Sequence, residues 1–597
     1  MLRIAIAQFR PHKAEYERNL TQVADLFGRL ARGPAVPDVL VFPEAALTGY
    51  FLEGGVQEVA LTAEHLFNDL ARLHGESGCG PLEVVVGFYE VWRTRLHNSV
   101  LAAALGGPDP GIRHIHRKVF LPTYGVFDEE RFVEPGLSVE AFDMRWGRGA
   151  AVVCEDAWHS LIPTIAALDG AQVLFIPSAS PARGIGPEAD GDGRPGSVRR
   201  WERTVQAIAA EHGIYLVLAQ LAGFEGGKAL SGGSCVVGPR GEVLVRGPLF
   251  EEALIETEID LEEIVRARAE TPLLSDLEMR LPHLVESLAH RRSRGFVPGA
   301  TVPRPPPAAR PRPVRAPQRA RDQEAGDPLA IDPELTRKWL VEFIRDEVQR
   351  RRGFDRAVVG LSGGVDSALV TFLAVEALGP KNVWAVRMPY HASSRESLEH
   401  AQLVIDAAGC QAETVDISAA VDGLAAALPE RPDPPRIGNI CARMRMITLF
   451  DRSAGLRALP LGTGNKSERL FGYFTWHADD SPPVNPLGDL FKTQVWALAA
   501  HVGVPEVIVQ KPATADLISG QTDERDFGIS YRRADPILHW LLLGQRPEEI
   551  VQLGFTEEEV ALVRNRLEST HWKRRLPTVA MLSQTAIGEY YLRPVDY

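Results

Sequence analysis

The chain has few cysteines and no long apolar run. It contains five cysteines in 597 residues, an odd number without CxxC spacing, which argues against both a disulfide framework and a zinc site. No uninterrupted apolar stretch reaches the roughly 18 residues that a membrane-spanning helix needs. The N-terminal residues MLRIAIAQFRPHK lack the apolar core and the cleavage site of a secretory signal. These absences predict a protein that is not inserted in a membrane and resides in the reducing cytoplasm.

Positive charge is also in short supply. The chain has 65 Lys and Arg against 78 Asp and Glu, a formal net charge of −13, which argues against a general nucleic-acid-binding surface but permits local sites for small anions. Hydrophobic residues make up 45% and charged residues 24%, as in ordinary globular proteins. Because 597 residues exceed what one hydrophobic core accommodates, we expect two or three domains.

One segment differs in composition from the rest. Residues 291–327 are rich in Pro, Arg and Ala and lack apolar periodicity, which predicts an extended basic linker. A nucleic-acid-binding tail is the alternative, but the part from 301 to 326 contains no aromatic residue on which a base could stack. We therefore predict domains at residues 1–290 and 328–597.

Both predicted domains alternate strand and helix patterns. In the first, runs such as LRIAIAQF, DVLVFPE, EVVVGFY, AQVLFIPS and IYLVLAQ flank helical patterns, including one at 15–32, which predicts a layered α/β domain. In the second, an amphipathic helix at 334–352 precedes the strand AVVGL. The strand NVWAVRMP, a helix at 395–408 and the strand AETVDI follow, an order that favours a doubly wound parallel sheet.

A glycine- and serine-rich hexapeptide joins AVVGL to an apolar helical pattern. In Ser362–Ser367, SGGVDS, the backbone N–H groups at the start of the helix would converge on an anion, and the glycines let the backbone approach closely. Asp366 is placed to hold the magnesium ion that accompanies phosphates. The segment is not a Walker A loop because the GK[ST] ending is missing. A tight turn capped by a serine is the structural alternative for the hexapeptide alone.

SGGVDS resembles the pyrophosphate loop of the ATP-pyrophosphatase superfamily, and the remainder of this half is similar to the NAD synthetase family. The matching segments are NICARMRM (Asn439–Met446), GTGNKSE (Gly462–Glu468), GYFTWHAD (Gly472–Asp479), NPLGDLFKTQ (Asn485–Gln494), KPATADL (Lys511–Leu517), TDERDFGISY (Thr522–Tyr531) and HWKRRLP (His571–Pro577). The resemblance implies a Rossmann-like domain that adenylates its substrate with ATP.

The same resemblance implies roles for individual residues. The ATP-binding residues would be Ser362, Gly363, Gly364, Asp366, Ser367, Met388, Thr463, Lys492 and Lys511. The deamido-NAD-binding residues would be Asn439, Arg443, Asp479 and Lys573. Asp366 and Glu468 would hold Mg²⁺, the implied cofactor. The chain departs from the family pattern at Pro483, where some relatives carry a second aspartate, so the match is closer for adenylation than for substrate recognition.

Three separated segments of the first half resemble the nitrilase, or carbon–nitrogen hydrolase, superfamily. They are VFPEAALTGY around Glu44, RKVFLPTYGVFDEERFVEPG around Lys118 and VVCEDAW around Cys154. The resemblance implies an α-β-β-α sandwich with a Glu–Lys–Cys catalytic triad. The residue types suit the chemistry, because a cysteine becomes a strong nucleophile only when a base removes its proton, and a lysine can stabilise an oxyanion. A small buried core residue is the structural alternative for Cys154.

Further residues follow from this resemblance. Glu129 would be a second, positioning glutamate, with the adjacent Glu130 as the alternative register. Tyr124, Glu155 and Ser178 would contact glutamine, and the Glu155 backbone N–H would stabilise the oxyanion.

Two histidines, His114 and His116, occupy alternate positions before Lys118. They would be either a metal pair or, as we favour, strand residues beside the lysine.

The fusion of the two halves resembles glutamine-dependent NAD synthetases across almost the whole chain. That family makes NAD from deamido-NAD, ATP and L-glutamine, forms homo-oligomers and shields the transferred ammonia. Two alternatives are an amidotransferase for another carboxylate or nucleobase and a regulatory protein with inactive sites. The segments from GTGNKSE to TDERDFGISY argue against the first, and the intact catalytic residue types argue against the second. We expect small-molecule substrates and neither nucleic acid nor membrane as a partner.

Overall fold

The computed structural model describes residues 1–52, 55–187, 193–295, 327–514, 522–574 and 580. The chain forms two compact units. Unit 1 consists of Met1–Gly184, Arg194–Arg315 and Val579–Tyr597, and unit 2 consists of Ile185–Gly193 and Ala316–Thr578. A helix runs to Gly295, so the first five residues of the range predicted as linker are helical instead. Residues 296–326 of that range lie outside the described residues, and the predicted domain limits stay predictions.

Unit 1 alternates helices and strands along its described residues. Its helices are α1 (Tyr16–Arg32), α2 (Val56–Val59), α3 (Ala63–Ser77), α4 (Leu161–Leu168), α5 (Gly196–His212), α6 (Glu262–Glu270) and α7 (Leu273–Gly295). Its strands are β1 (Leu2–Gln8), β2 (Val39–Val41), β3 (Leu82–Trp92), β4 (Arg95–Leu105), β5 (Gly111–Arg117), β6 (Ala141–Met144), β7 (Gly147–Ala151), β8 (Val173–Ser178), β9 (Tyr215–Gln220), β10 (Ala222–Glu225), β11 (Lys228–Ser231), β12 (Cys235–Val237), β13 (Val243–Arg246) and β14 (Ala253–Ile259).

Two sheets packed face to face form the centre of unit 1. The described strands follow the orders β14-β1-β2-β3-β4-β5 and β13-β12-β9-β8-β7-β6. Successive side chains of a strand point to opposite faces of the sheet, and the side chains of β1 divide between the two faces. Ile4 and Ile6 pack with Phe175 between the sheets, whereas Ala5 and Ala7 pack against the outer helices α1 and α3. Helix α5 covers the other sheet through β9 and β12. The predicted α-β-β-α sandwich is confirmed.

In unit 2 the α-helix that begins at Pro333 continues into π-helical turns. Its α-helices are α8 (Pro333–Arg345), α9 (Val365–Leu378), α10 (Arg395–Ala408), α11 (Ser418–Ala427), α12 (Pro434–Leu456), α13 (Lys466–Phe471), α14 (Lys492–His501), α15 (Glu506–Val509), α16 (Asp523–Phe527), α17 (Tyr531–Leu542), α18 (Pro547–Val551) and α19 (Glu557–Ser569). Its strands are β15 (Arg356–Gly360), β16 (Val383–Arg387), β17 (Gln411–Thr414) and β18 (Ala458–Leu461). The helix predicted at 334–352 is α-helical to Arg345, and Asp346–Arg351 forms π-helical turns.

The sheet of unit 2 is parallel. Its order is β17-β16-β15-β18, and each neighbouring pair of strands runs in the same direction. Helix α9 follows the central strand β15 and is buried on most sides, among α8, α10, α14 and the sheet. The predicted parallel-sheet fold is confirmed. Among the described residues of either unit, no helix combines the length and apolar character that membrane crossing requires.

Candidate active sites

Three charged side chains form a buried cluster in unit 1. The Lys118 ammonium lies 2.8 Å from Glu44 Oε1 and 2.6 Å from Glu129 Oε2. Burial raises the pKa of Glu44, and the nearby Glu129 charge adds to this rise while Lys118 opposes it. Burial alone would lower the pKa of Lys118, but the two carboxylates raise it well above its usual value. The lysine therefore remains a cation beside a carboxylate that accepts protons more readily than usual.

Of the two adjacent glutamates, only Glu129 joins this cluster. Glu129 is buried against Lys118, whereas Glu130 is exposed. The structure thus brings together Glu44, Lys118 and Glu129, the arrangement expected from the sequence. Two partners were not expected: Asn98 Nδ2 donates to Glu44 Oε1 at 2.7 Å and Glu129 Oε1 at 2.5 Å, and Tyr50 Oη donates to Glu129 Oε2 at 3.1 Å. A strand asparagine or loop tyrosine carries no signal of such a role in a single sequence.

A glycine allows the chain around Glu44 to pass close to strand β3. Glu44 follows the end of β2, and a Cβ built on Gly87 of β3 would lie 2.5 Å from both Glu44 Cα and Pro43 O. Real Cβ atoms do not approach a backbone so closely. The absence of a side chain at Gly87 therefore lets the backbone place the Glu44 carboxylate beside Lys118.

Cys154 begins a 3₁₀ turn, Cys154–Trp158, after the end of β7. Its φ is 42°, a left-handed conformation that is rare for a residue with a side chain. Its thiol is nearly buried and lies 3.5 Å from Ser180 Oγ, which lies 3.3 Å from Ser178 Oγ. Burial and the Glu44 charge raise the pKa of Cys154 to about 12, although Lys118 opposes them. At neutral pH the thiol is protonated and needs a base to become a nucleophile.

A buried aspartate ties the Cys154 turn to the residues after Lys118. Asp156 Oδ1 accepts the N–H groups of Val119 and Phe120 at 3.0 and 2.9 Å. Asp156 Oδ2 accepts from Val153 N at 3.1 Å and is 2.9 Å from His116 Nε2. One carboxylate thus fixes the backbone just before the proposed nucleophile and just after the lysine. No role for Asp156 was predicted, because VVCEDAW singles out only the cysteine and its neighbour.

The histidines His114 and His116 have different partners. The His114 ring stacks on Phe142 with ring centroids 4.9 Å apart, whereas His116 faces Asp156. Both lie in β5. Among the described residues there is no group of three or more side chains placed to hold a metal ion. The geometry agrees with strand residues beside the lysine.

The residues predicted to contact glutamine lie near Cys154. Tyr124 is exposed and donates its hydroxyl to Glu155 Oε2 at 2.8 Å. Although the residue as a whole is exposed, partial burial and the Glu155 acceptor raise the pKa of Tyr124 to about 12. The Tyr124 hydroxyl therefore remains a donor at neutral pH. Ser178 is buried and reaches Cys154 through Ser180. The predicted set thus includes the exposed hydroxyl of Tyr124, paired with the Glu155 carboxylate, and the buried hydroxyl of Ser178.

In unit 2 the loop Ser362–Ser367 connects β15 to α9. Ser367 Oγ accepts from Ser362 N at 3.3 Å and donates to Gly364 O at 3.0 Å, so the loop is closed on itself by its own serine. Gly363 has a φ of 80°, and a Cβ there would lie 2.2 Å from Ser397 O. Only glycine combines this left-handed backbone with so close an approach to Ser397 O.

Two acidic side chains and one lysine meet beside this loop. Lys492 Nζ lies 2.5 Å from Asp366 Oδ2 and 3.3 Å from Glu468 Oε1. Burial, with the Asp366 charge, raises the pKa of Glu468 to about 8 against the opposing Lys492 charge. Burial would lower the pKa of Lys492, but both carboxylates raise it. Asn465 Nδ2 also donates to Asp366 Oδ1 at 2.9 Å.

A cavity of about 310 Å³ opens over these groups. The predicted site residues that line it are Ser362, Gly364, Asp366, Ser367, Met388, Thr463, Glu468, Asp479, Lys492 and Lys511. Its lining also includes Asp523, whose pKa is raised by burial. Asp523 belongs to the segment TDERDFGISY, which marked the region in the sequence without indicating which carboxylate faces the cavity.

Four predicted residues do not line this cavity. Gly363 shapes the loop, as described. The other three contact the segment that carries Asp479: Asn439 accepts from Thr475 Oγ1 at 3.2 Å, Arg443 donates to Trp476 O at 3.2 Å, and Lys573 donates to Gly472 O and Phe474 O at 2.8 and 3.0 Å. In this structure their polar atoms support the loop, and their direct contact with a substrate stays a prediction.

Comparison with known proteins identifies the C-terminal half. The NAD synthase family model matches residues 336–577. An NH(3)-dependent NAD(+) synthetase of Trichlorobacter lovleyi is 46% identical over 271 residues, which are 45% of this chain and 98% of that protein. The chain belongs to the NAD synthetase family. A second such synthetase, of Chlorobaculum parvum, is 45% identical over 44% of this chain and 94% of its own length.

The N-terminal half matches a different family model, carbon–nitrogen hydrolase, over residues 3–269. Solved structures with both halves have the same fold. The glutamine-dependent NAD+ synthetase of Acinetobacter baumannii, solved with ADP, aligns with a TM-score of 0.69 at 23% identity over 100% of this chain and 98% of that chain. The enzyme of Cytophaga hutchinsonii aligns with a TM-score of 0.68 at 16% identity over 96% and 93%. At these identities the likeness establishes the fold alone.

Proposed function

We propose that the chain converts deamido-NAD, ATP, L-glutamine and water into NAD, AMP, diphosphate and L-glutamate. One observation carries the proposal: a buried Cys–Glu–Lys arrangement in a carbon–nitrogen hydrolase half accompanies an ATP-type loop in a NAD synthetase half. A hydrolase of amides releases ammonia, and a ligase that adenylates a carboxylate consumes it. The two halves therefore supply the two parts of one amide transfer.

Unit 1 would release ammonia in two steps. Glu44 takes the Cys154 proton, and the thiolate attacks the side-chain amide carbon of glutamine. Lys118 and the Glu155 N–H stabilise the oxyanion, and Glu44 returns the proton to the leaving ammonia. Glu44 then deprotonates water, which attacks the γ-glutamyl thioester and frees glutamate and the thiol.

The remaining residues of unit 1 would position these groups. Glu129, 2.6 Å from Lys118, would hold the ammonium in place. Tyr124 and Ser178 would line the glutamine site together with Glu155.

Unit 2 would activate the nicotinate carboxylate. That carboxylate attacks the α-phosphorus of ATP, diphosphate leaves, and ammonia displaces AMP from the acyl adenylate. The Ser362–Ser367 loop would bind phosphate through N–H and hydroxyl groups, with Lys492 and Lys511 as cations. Met388 and Thr463 would bind the remainder of ATP, and Asn439, Arg443, Asp479 and Lys573 would recognise deamido-NAD.

Asp366 and Glu468 are suited to hold Mg²⁺. Their oxygens already converge on one cation, the Lys492 ammonium, at 2.5 and 3.3 Å, and carboxylate oxygens are the ligands that Mg²⁺ prefers. When bound, the ion neutralises charge on the phosphate oxygens. We further propose a cytoplasmic homo-oligomer that binds no nucleic acid.

The test is an assay of the purified chain with deamido-NAD, ATP and Mg²⁺, and with either glutamine or an ammonium salt. Cys154→Ala should abolish NAD formation from glutamine and preserve it from ammonium, because only the thiol nucleophile is lost. Cys79→Ala is the matched control, since both cysteines are 8% exposed; it should retain both activities.

Each result bears on a separate part of the proposal. Failure of the wild-type chain with both nitrogen sources would exclude NAD synthesis. Persistent glutamine-dependent synthesis in Cys154→Ala would remove Cys154 from the mechanism.

A further inference from the structure

A buried carboxylate outside the ATP cavity contacts both helices that carry its charged residues. Asp535 lies in α17 and is fully buried. Its Oδ1 accepts from Ser467 Oγ at 2.6 Å, and its Oδ2 accepts from Thr493 N and Thr493 Oγ1, each at 2.9 Å. A carboxyl group removed from water in this way is costly unless its oxygens are hydrogen-bonded, and here three donors satisfy them.

These donors lie in the first turns of two helices. Ser467 belongs to α13 and immediately precedes Glu468, and Thr493 belongs to α14 and immediately follows Lys492. Ser467 Oγ also accepts the backbone N–H of Lys492 at 2.9 Å. The first N–H groups of a helix have no partner within the helix; Asp535 accepts one of them in α14, that of Thr493, and contacts α13 through the Ser467 hydroxyl. Asp535 therefore joins the beginnings of α13 and α14.

The side chains adjacent in sequence to Ser467 and Thr493, those of Glu468 and Lys492, line the cavity. Glu468 and Lys492 line it together with Asp366, whereas Asp535, Ser467 and Thr493 do not. Lys492 Nζ contacts both acidic side chains, and the relative position of the two helix starts sets the spacing between Lys492 and Glu468. A misplacement of about 1 Å in such a group can cost about 100-fold in rate.

We propose that Asp535 is a positioning residue of the ATP site. It holds α13 and α14 in the relative position at which Glu468 and Lys492 act on the phosphates of one Mg²⁺–ATP. The inference rests on the proposed function for the identity of the ligand. The assignment differs from a general contribution to the core, which would change stability without changing how the cavity binds ATP.

Three variants of the full-length chain separate these two roles. Asp535→Asn keeps the shape but replaces one acceptor by a donor, so one of the two helix contacts must rearrange. Ser467→Ala removes one donor to Asp535 and the link to Lys492 N, and it serves if Asp535→Asn does not fold. Ile550→Ala is the matched control: Ile550 is fully buried in the same apolar core as Ile537 and Leu538 of α17 and lies outside the cavity lining.

The measurements are the melting temperature, the Kd of Mg²⁺–ATP by titration calorimetry, and kcat with ammonium as nitrogen source. We expect Asp535→Asn to weaken Mg²⁺–ATP binding and to lower kcat by about 10–100-fold. Losses of this size are typical when a residue that orients the ligands of a metal site, without contacting the metal itself, is changed. Ser467→Ala should show a smaller loss of both. Ile550→Ala should lower the melting temperature and leave Kd and kcat unchanged.

Equal Kd and kcat values for Asp535→Asn, Ser467→Ala and the wild-type chain would overturn the proposal. So would parallel losses in Ile550→Ala. If the wild-type chain binds Mg²⁺–ATP but makes no NAD, the proposed function fails, and the calorimetric comparison still decides the role of Asp535.

Discussion

In the proposed mechanism, proton transfer from Cys154 depends on Glu44, a carboxylate that its surroundings make more basic. Burial raises the pKa of the thiol to about 12, and burial also raises the pKa of Glu44. The difference in pKa between donor and acceptor is therefore smaller than it would be if Glu44 kept its ordinary value. A general base works best when its pKa lies near the operating pH, and burial shifts the pKa of Glu44 upwards, in that direction.

This raised pKa predicts the pH dependence of glutamine hydrolysis. Glu44 must be ionised to take the thiol proton, so kcat/KM for glutamine should fall as pH decreases through the raised pKa of Glu44. The acid limb should thus lie above the value of about 4.3 that is usual for a free glutamate side chain. Glutamate release measured between pH 4 and 9 checks this, and an acid limb at the ordinary value would contradict it.

The effect on stability has the opposite sense. Because the folded-state pKa of Glu44 is raised, the folded chain binds this proton more tightly than the unfolded chain does. The stabilisation from the proton is therefore fully present at low pH and is lost as pH rises through the raised pKa. Ionised Glu44 therefore opposes folding, and the attraction of Lys118 at 2.8 Å offsets only part of this cost.

At the scale of elements, the position of Glu44 depends on a close crossing between the chain after β2 and strand β3. Gly87→Ala would put a Cβ 2.5 Å from Glu44 Cα, so the backbone that carries the carboxylate must move. We expect a loss of stability of about 1–3 kcal/mol. NAD formation from glutamine should fall about 100-fold or more, and formation from ammonium should persist.

A second glycine supplies the control for this substitution. Gly75 lies exposed within helix α3 with no atom within 4 Å of an added Cβ, so Gly75→Ala should stabilise the chain by up to about 1 kcal/mol. Thermal melts and both assays on the two variants make the comparison. Equal glutaminase activities would show that the crossing does not position Glu44.

Elements with a strong periodic pattern were predictable from the sequence. The helices predicted at 15–32 and 395–408 are found at Tyr16–Arg32 and Arg395–Ala408. The predicted strand series stopped at β9, because each of the strands β10 to β13 has only three or four residues, too few to show a clear alternation. The π-helical turns at Asp346–Arg351 were also missed, since a helical period does not distinguish α from π hydrogen bonding.

In the candidate sites, the sequence predicted only residues that lie in recognisable motifs. Glu44, Lys118 and Cys154 stand in segments that mark them, and the structure places all three in one half with Glu129. Asn98 and Asp535 stand outside the matched segments, and VVCEDAW contains Asp156 without marking a role for it. All three are buried and have partners 31 to 68 residues away. Such long-range pairing is decided by the fold and has no local signature.

At the scale of the whole molecule, the two halves have separate cores. The apolar clusters around β1 and β8 belong to unit 1, and the cluster around β15 and α9 belongs to unit 2. A relative of which 98% aligns with 271 residues of this chain is described as NH(3)-dependent. A fragment comprising residues 327–597 should therefore make NAD from ammonium and not from glutamine.

This fragment should also be less stable than unit 2 in the intact chain. Unit 2 includes Ile185–Gly193, and the Ile185 carbonyl accepts the N–H of Asp332, the N-cap of α8, at 2.7 Å. The fragment lacks this acceptor. Calorimetric melting of the fragment and of the full chain tests the difference, and an Asp366→Ala fragment controls for contaminating synthetase. An inactive but folded fragment would contradict the expected independence of the synthetase half.

At Cys154 the backbone is left-handed, with φ 42°. The backbone conformation favours glycine at this position, whereas the proposed chemistry requires the cysteine thiol. This conformation costs a residue with a side chain roughly 1–2 kcal/mol, whereas glycine adopts it without a steric clash. A stability-guided redesign that replaces left-handed residues by glycine would therefore choose this position early. The resulting chain would be unable to use glutamine whatever its melting temperature, so thermal tolerance by itself is a misleading criterion for improving this enzyme.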